Sequence, residues 1–148
     1  MADDAVVEIA EAVKDDLNDG SWTQTFTATR VYDLTAELQD DGLHVDVAVR
    51  DDSGEIMDRG NTQNDLAVDV VVRKLCDVSA NTVPDALMLL IQELRDNFVG
   101  SRLETATQGS AWCYGWARNP AYYPAHMQNF RQFTGVLTLK FQLRRAIP

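Results

Sequence analysis

Histidine and cysteine are the scarcest chemically able side chains in this 148-residue chain, and their spacing gives no metal signature. His44 stands in an alternating apolar run, His126 in a Pro- and Tyr-rich segment, and Cys76 and Cys113 are 37 positions apart. Zinc sites draw on close-spaced ligand pairs, and none occurs here. His44 therefore reads as a solvated strand histidine and the cysteines as small buried hydrophobes. The carboxylates of Asp51-Asp52-Ser53-Gly54-Glu55 raise the question of calcium. They lack the alternating ligands and closing glutamate of an EF-hand loop and read, like Asp40-Asp41, as a solvated turn. Phosphate-cradling glycine patterns are missing. A Ser-His-Asp or Cys-His nucleophile has no local signature in its favour. Trp112, Tyr114 and Trp116 alternate onto one expected strand face. Such a row can stack on a base or sugar, but aromatics more often fill a core or an interface. The segment 119–127, Asn-Pro-Ala-Tyr-Tyr-Pro-Ala-His-Met, is stiffened by two prolines and carries no acid. It reads as a rigid crossover or as a partner-binding loop.

The elements that must position these residues follow from periodicity. Residues 3–19 form an expected amphipathic helix with Val6, Ile9, Ala10, Val13 and Leu17 on one side. Asp3, Asp4 and Glu8 favour its N-terminal end, and Asn18-Asp19-Gly20 stops it. Residues 22–32 alternate as a threonine-rich strand, and residues 32–38 make a connection with room for a helical turn. Residues 43–50 are a strand with Leu43, Val45, Val47 and Val49 inward. Residues 51–63 read as a long polar loop, and residues 65–75 return as a strand with Leu66, Val68, Val70 and Val72 inward. A second helix opens near Asn81, Thr82 and Pro84, buries Leu87, Leu90, Ile91, Leu94 and Phe98, and ends at Gly100. Residues 112–116 are a short strand and residues 118–129 a loop.

Residues 130–145 carry the clearest period of two. Phe133, Gly135, Leu137, Leu139, Phe141 and Leu143 share one face; Gln132, Thr134, Val136, Thr138, Lys140, Gln142 and Arg144 share the other. A strand about twice the usual length must serve a large sheet or reach beyond its own subunit. Helices and strands do not alternate strictly, which argues against a doubly wound parallel sheet. The expected fold is a single α+β domain over residues 1–148, a mostly antiparallel sheet of about five strands with two helices packed on one face.

Charge narrows the partners. All 23 acids lie at or before Glu104, against eight Lys and Arg, a balance of −15; five Lys and Arg and no acid follow. Such asymmetry suits contact between unlike surfaces, or pairing of the basic last strand with acidic parts of the same fold. Aspartate outnumbers glutamate 17 to 6 and arginine outnumbers lysine 10 to 3, a bias compatible with a saline host. The acidic surface is poorly suited to general nucleic-acid binding. No apolar run is long enough for a transmembrane helix, and the acidic start does not resemble a secretory signal. The two cysteines fit a reduced intracellular setting.

With these residues in view, the chain resembles the tail terminator, or tail completion, proteins of tailed viruses and prophages. Three places carry the likeness. The first is the opening helix ending in Leu17-Asn18, followed by Trp22-x-x-x-Phe26-x-Ala28-x-Arg30-x-Tyr32. The second is Asp85-Ala86-Leu87-Met88-x-Leu90-x-x-Glu93-Leu94. The third is Asn119-Pro120-x-Tyr122 followed by residues 130–139, Phe-Arg-Gln-Phe-Thr-Gly-Val-Leu-Thr-Leu. The Asp-rich stretch 51–58 departs from the family pattern.

The resemblance implies a non-enzymatic virion protein with no catalytic site, cofactor or metal. It would assemble in the host cytoplasm into a homo-oligomeric ring, a hexamer in the family. That ring would cap the tail tube, end tube polymerisation and join the tail to a neck or head-completion protein, away from any membrane. DNA would pass through its lumen without specific binding. Arg118, Tyr122, Tyr123, His126 and Arg131 would lie in a partner-contacting segment. Thr134, Thr138, Lys140, Gln142 and Arg144, on the open face of the last strand, would lie partly against a neighbouring subunit. The alternatives are another neck or head-completion protein or, in a different class, a small-ligand-binding or enzymatic α+β domain, whose mark would be a deep pocket with convergent polar groups.

Overall fold

The computed structural model describes residues 4–32, 34, 38, 40–76, 80–118 and 120–146. The described elements run α1 (Ala5–Asp19), β1 (Ala28–Arg30), β2 (His44–Ile56), β3 (Asn61–Leu75), α2 (Thr82–Phe98), β4 (Arg102–Glu104), β5 (Ser110–Ala117), α3 (Pro124–Phe130) and β6 (Gln132–Ala146). The strands form one sheet in the order β1-β2-β3-β6-β5-β4. Every neighbouring pair is antiparallel except β1 with β2. The fold is α+β, as the patterning implies, with six strands and three helices among the described residues against the expected strands, about five, and two helices.

The long strands meet at the centre. β3 and β6 pair along their whole length, from Asn61 against Ala146 to Leu75 against Gln132. Their inward side chains are Leu66, Val68, Val70, Val72, Phe133, Leu137, Leu139, Phe141 and Leu143, all buried. On them lie Ile9, Val13 and Leu17 of α1 and Leu87, Leu90, Ile91 and Leu94 of α2. Each such side chain contributes roughly 1.5–3 kcal/mol on burial, which makes this face the main source of stability. At Gly135 α2 packs tightly against the sheet. A Cβ there would lie 2.5 Å from Ile91 Cδ1 and 2.9 Å from the Phe133 ring.

Five stretches depart from the expectation, each for a local reason. Residues 22–27 are not a strand, because the Trp22 indole Nε1 donates to the Leu17 carbonyl at the end of α1 (2.9 Å) and the ring stacks on Phe26. An orphan helix-end carbonyl outcompetes the alternation there. Asn18 grips Ala28 through both its N–H and its carbonyl, so the strand starts only at Ala28.

The expected long loop at residues 51–63 is mostly strand. β2 and β3 stay paired out to Ile56 against Thr62, and a tight turn closes them, with Asp58 Oδ1 accepting from the Gly60 N–H (2.8 Å). Residues 51–61 are exposed on both faces, so no apolar period marks them. β4, only three residues long, gives no period either.

In β5 the register slips between Cys113 and Gly115. One extra residue turns the rest of a strand over. Trp112 opposes Gln142 on the open face, whereas Trp116 opposes Leu139 on the helix face, where the Arg95 guanidinium lies over its ring at 4.6 Å. The three aromatics therefore do not share a face.

The Pro-rich loop contains α3, opened by Pro124 and closed by Arg131 in the left-handed region (φ 50°), whose N–H bonds the His126 carbonyl. The opening helix is capped by Asp4, whose side chain accepts from Val6 N–H (3.0 Å), and Asp3 lies outside the described residues. Asn81 caps α2 by position only, with no side-chain bond, and Gly100 follows its end at φ 81°. A helical turn within residues 32–38 falls largely outside the described residues, as does Asn119.

Candidate interaction surface

The residues expected at an interface fall into two groups at opposite ends of β6. The first surrounds α3. Tyr122 stacks on Phe133, with ring centroids 6.0 Å apart, and Tyr123 stacks on His126 at 5.2 Å. His126 Nδ1 meets the Thr134 hydroxyl at 2.8 Å, and the Tyr123 N–H donates to the Thr134 carbonyl. Arg131 is exposed, and its carbonyl accepts from Cys76 N–H. Thr134 and Thr138 are buried. α3 occupies the first, and the second donates to Asp69 Oδ1 at 2.6 Å. Both are thus engaged inside the chain rather than offered to a neighbour. Arg118 is half-buried with a guanidinium nitrogen 3.2 Å from Met88 Sδ. Burial, then the nearby Arg95 charge, holds its pKa below the usual arginine value.

The second group, Lys140, Gln142 and Arg144, lies on the open face beside the half-exposed Trp112 and Tyr114. Pairing sets a level row across the sheet: Ser53 opposes Asp65, Asp65 opposes Gln142, Gln142 opposes Trp112, and Trp112 opposes Arg102. At one end of the row is the arm formed by β2 and β3, with Asp51 and Glu55 on the same face as Ser53. Its tip exposes Ile56 (72 %) and Met57 (45 %). At the other end is a cleft of about 340 Å³ lined by Arg102, Ser110, Trp112, Gln142 and Arg144. Arg102 and the arm escaped the sequence reading; the dipeptide Ile56-Met57 inside a polar run was the available signal.

A second cleft, about 630 Å³, runs between α1 and residues 102–106 and carries Glu8, Glu11, Asp15, Asp16 and Asp19. Glu8 is buried and accepts both the N–H and the hydroxyl of Thr107, tying the β4–β5 turn to α1. Glu11 pairs with Lys14 (2.8 Å) and Arg30 (2.5 Å), and these hydrogen bonds hold its carboxyl below the usual range. Among the described residues no group of three His, Cys, Asp or Glu is placed to hold a metal ion. His44 Nε2 meets Asp40 Oδ1 at 2.8 Å on the surface, and burial pushes the Cys113 thiol pKa up. Among the described residues no helix is long and apolar enough to cross a membrane.

No protein-family model and no curated protein matches this sequence.

Proposed function

We propose that this protein is a tail terminator, a structural virion protein whose ring caps the tail tube, ends its polymerisation and joins it to the neck. The observation that carries the reading is the β2–β3 arm, exposed from residue 51 to residue 61 and ending in a turn that bares Ile56 and Met57 beside Asp58 and Arg59. Monomeric proteins seldom hold out a flat, two-sided strand pair, since its edges invite pairing with other chains. The resemblance supplies the identity of the partners, and the charge asymmetry suits a head-to-tail contact that closes into a ring. Excess acid facing the lumen would repel DNA phosphates and let the genome slide.

The test is mass measurement in solution, alone and with tube protein. A ring, or a ring formed on tube ends, is the expected result. A chain that stays monomeric and binds no tube end refutes the reading. A deep ligand pocket filled by a metabolite would instead favour the binding-domain alternative. Strong, salt-sensitive DNA binding by the isolated protein would overturn the passive lumen.

A further inference from the structure

We infer that two copies of this chain meet edge to edge, with the arm of one against the Arg102–Trp112 cleft of the next. The proposal deepens the ring reading above and rests on it only for self-association. Three observations lead to it.

The first is level. Ser53 on β2 and Arg102 on β4 occupy one row across the sheet, so neighbouring copies set side by side bring arm and cleft together without a shift along the strands. β2 and β4 also run in the same direction, because three antiparallel steps through β3, β6 and β5 bring the direction back at the fourth. Repetition of one orientation makes the contact heterologous, the kind that closes a ring.

The second is free edge. β1 covers β2 only at Val45–Val47, so the outer edge of β2 from Val49 to Ile56 is unpaired among the described strands. Such an edge accepts a neighbour. Gly54 keeps the arm close-knit, since a Cβ there would lie 2.5 Å from the Gln63 carbonyl oxygen.

The third is complementary chemistry. Asp51 and Glu55 face the same side as Arg102 at the far edge and Arg144 on β6, two strands in from it. None of these four side chains takes part in an ion pair or hydrogen bond among the described residues. Glu104 is the one acid on β4 itself, and Asp65, on β3, lies three strands further in. Trp112 offers the aromatic surface that interfaces favour, with an arginine beside it.

Charge reversal tests the contact. One variant carries Asp51→Arg and Glu55→Arg, the other Arg102→Glu and Arg144→Glu, both in the full chain. Wild type is expected to assemble, and each variant alone to associate at least about tenfold more weakly, because like charges meet. An equimolar mixture should regain assembly, since a basic arm then meets an acidic cleft. Thermal unfolding of each variant near the wild-type midpoint excludes misfolding, and the neutral pair Glu55→Gln and Arg102→Gln gives a milder second reading. If both reversed variants assemble like wild type, the edge contact is wrong and the ring reading stands. If they keep the ring but lose tube or neck protein, the cleft belongs to that partner and the self-contact is wrong. If wild type stays monomeric with tube protein present, both readings fall.

Discussion

Asp46 and Arg73 form an ion pair on the sheet face away from α1 and α2, with Arg73 Nη2 2.8 Å from Asp46 Oδ2. Their side chains are only 10 % and 9 % exposed, so water screens them weakly. Two unit charges about 4 Å apart attract by roughly 4 kcal/mol at an effective dielectric of about 20. Desolvation of both ions consumes much of that gain, but removing Arg73 leaves the buried Asp46 carboxylate without its ion-pair partner. Asp46→Leu or Arg73→Met should each cost about 3 kcal/mol, at the low end of the range for broken buried pairs. For a chain of this size that is a fall of roughly 6–12 °C in Tm. The double variant Asp46→Leu/Arg73→Met should come back to within about 1–2 kcal/mol of wild type, because no charge is left stranded. Urea unfolding of the four proteins measures the coupling directly. Single costs under about 1 kcal/mol, or costs that simply add, would mean that the pair is screened by water like an exposed salt bridge.

Gly135→Ala should destabilise by about 1–3 kcal/mol through overpacking, and adding Ile91→Val, which removes the Cδ1 that the new methyl meets at 2.5 Å, should restore much of the loss in thermal melts. Glu11 has a folded pKa below its ordinary value of 4.5, so its contribution is present in full above that value and is lost as pH falls through the folded pKa. Urea midpoints followed downward from pH 6 should decline more gently in Glu11→Gln than in wild type. Cys113 is buried with its thiol pKa raised by desolvation, while Cys76 is half-buried. Iodoacetamide should therefore label Cys76 first in the native protein and both at similar rates in urea, as mass spectrometry of the peptides would show.

The main core was legible because one face of each long element is apolar at the right period. Leu66, Val68, Val70 and Val72 of β3, the Phe133-to-Leu143 row of β6 and the stripes of α1 and α2 all point where the patterning put them. Patterning failed where burial is two-sided or absent. The arm at residues 51–61 is exposed on both faces, so nothing distinguishes it from a polar loop. α3 is seven residues of mixed composition between prolines and a left-handed Arg131, too short to display a helical period. The slip at Cys113 moved Trp116 to the opposite face from Trp112, an event invisible in an alternation that continues unbroken in sequence. The same limit governs the surface. Lys140, Gln142 and Arg144 lie on an open face, but Thr134 and Thr138, in step with them, are covered by α3 and held by Asp69, contacts that join residues distant in the chain. Arg102, at the far end of the row from the acidic arm, comes from a strand with no sequence signal at all.

A tail terminator acts at the end of a tail tube. Polymerising tube protein should be mixed with increasing amounts of this protein and imaged by negative-stain electron microscopy, with tube lengths and end densities scored. Shorter tubes are expected as the protein is raised, with a ring of density on one end of each. Unchanged lengths with bare ends, or density scattered along the tube wall, would contradict it.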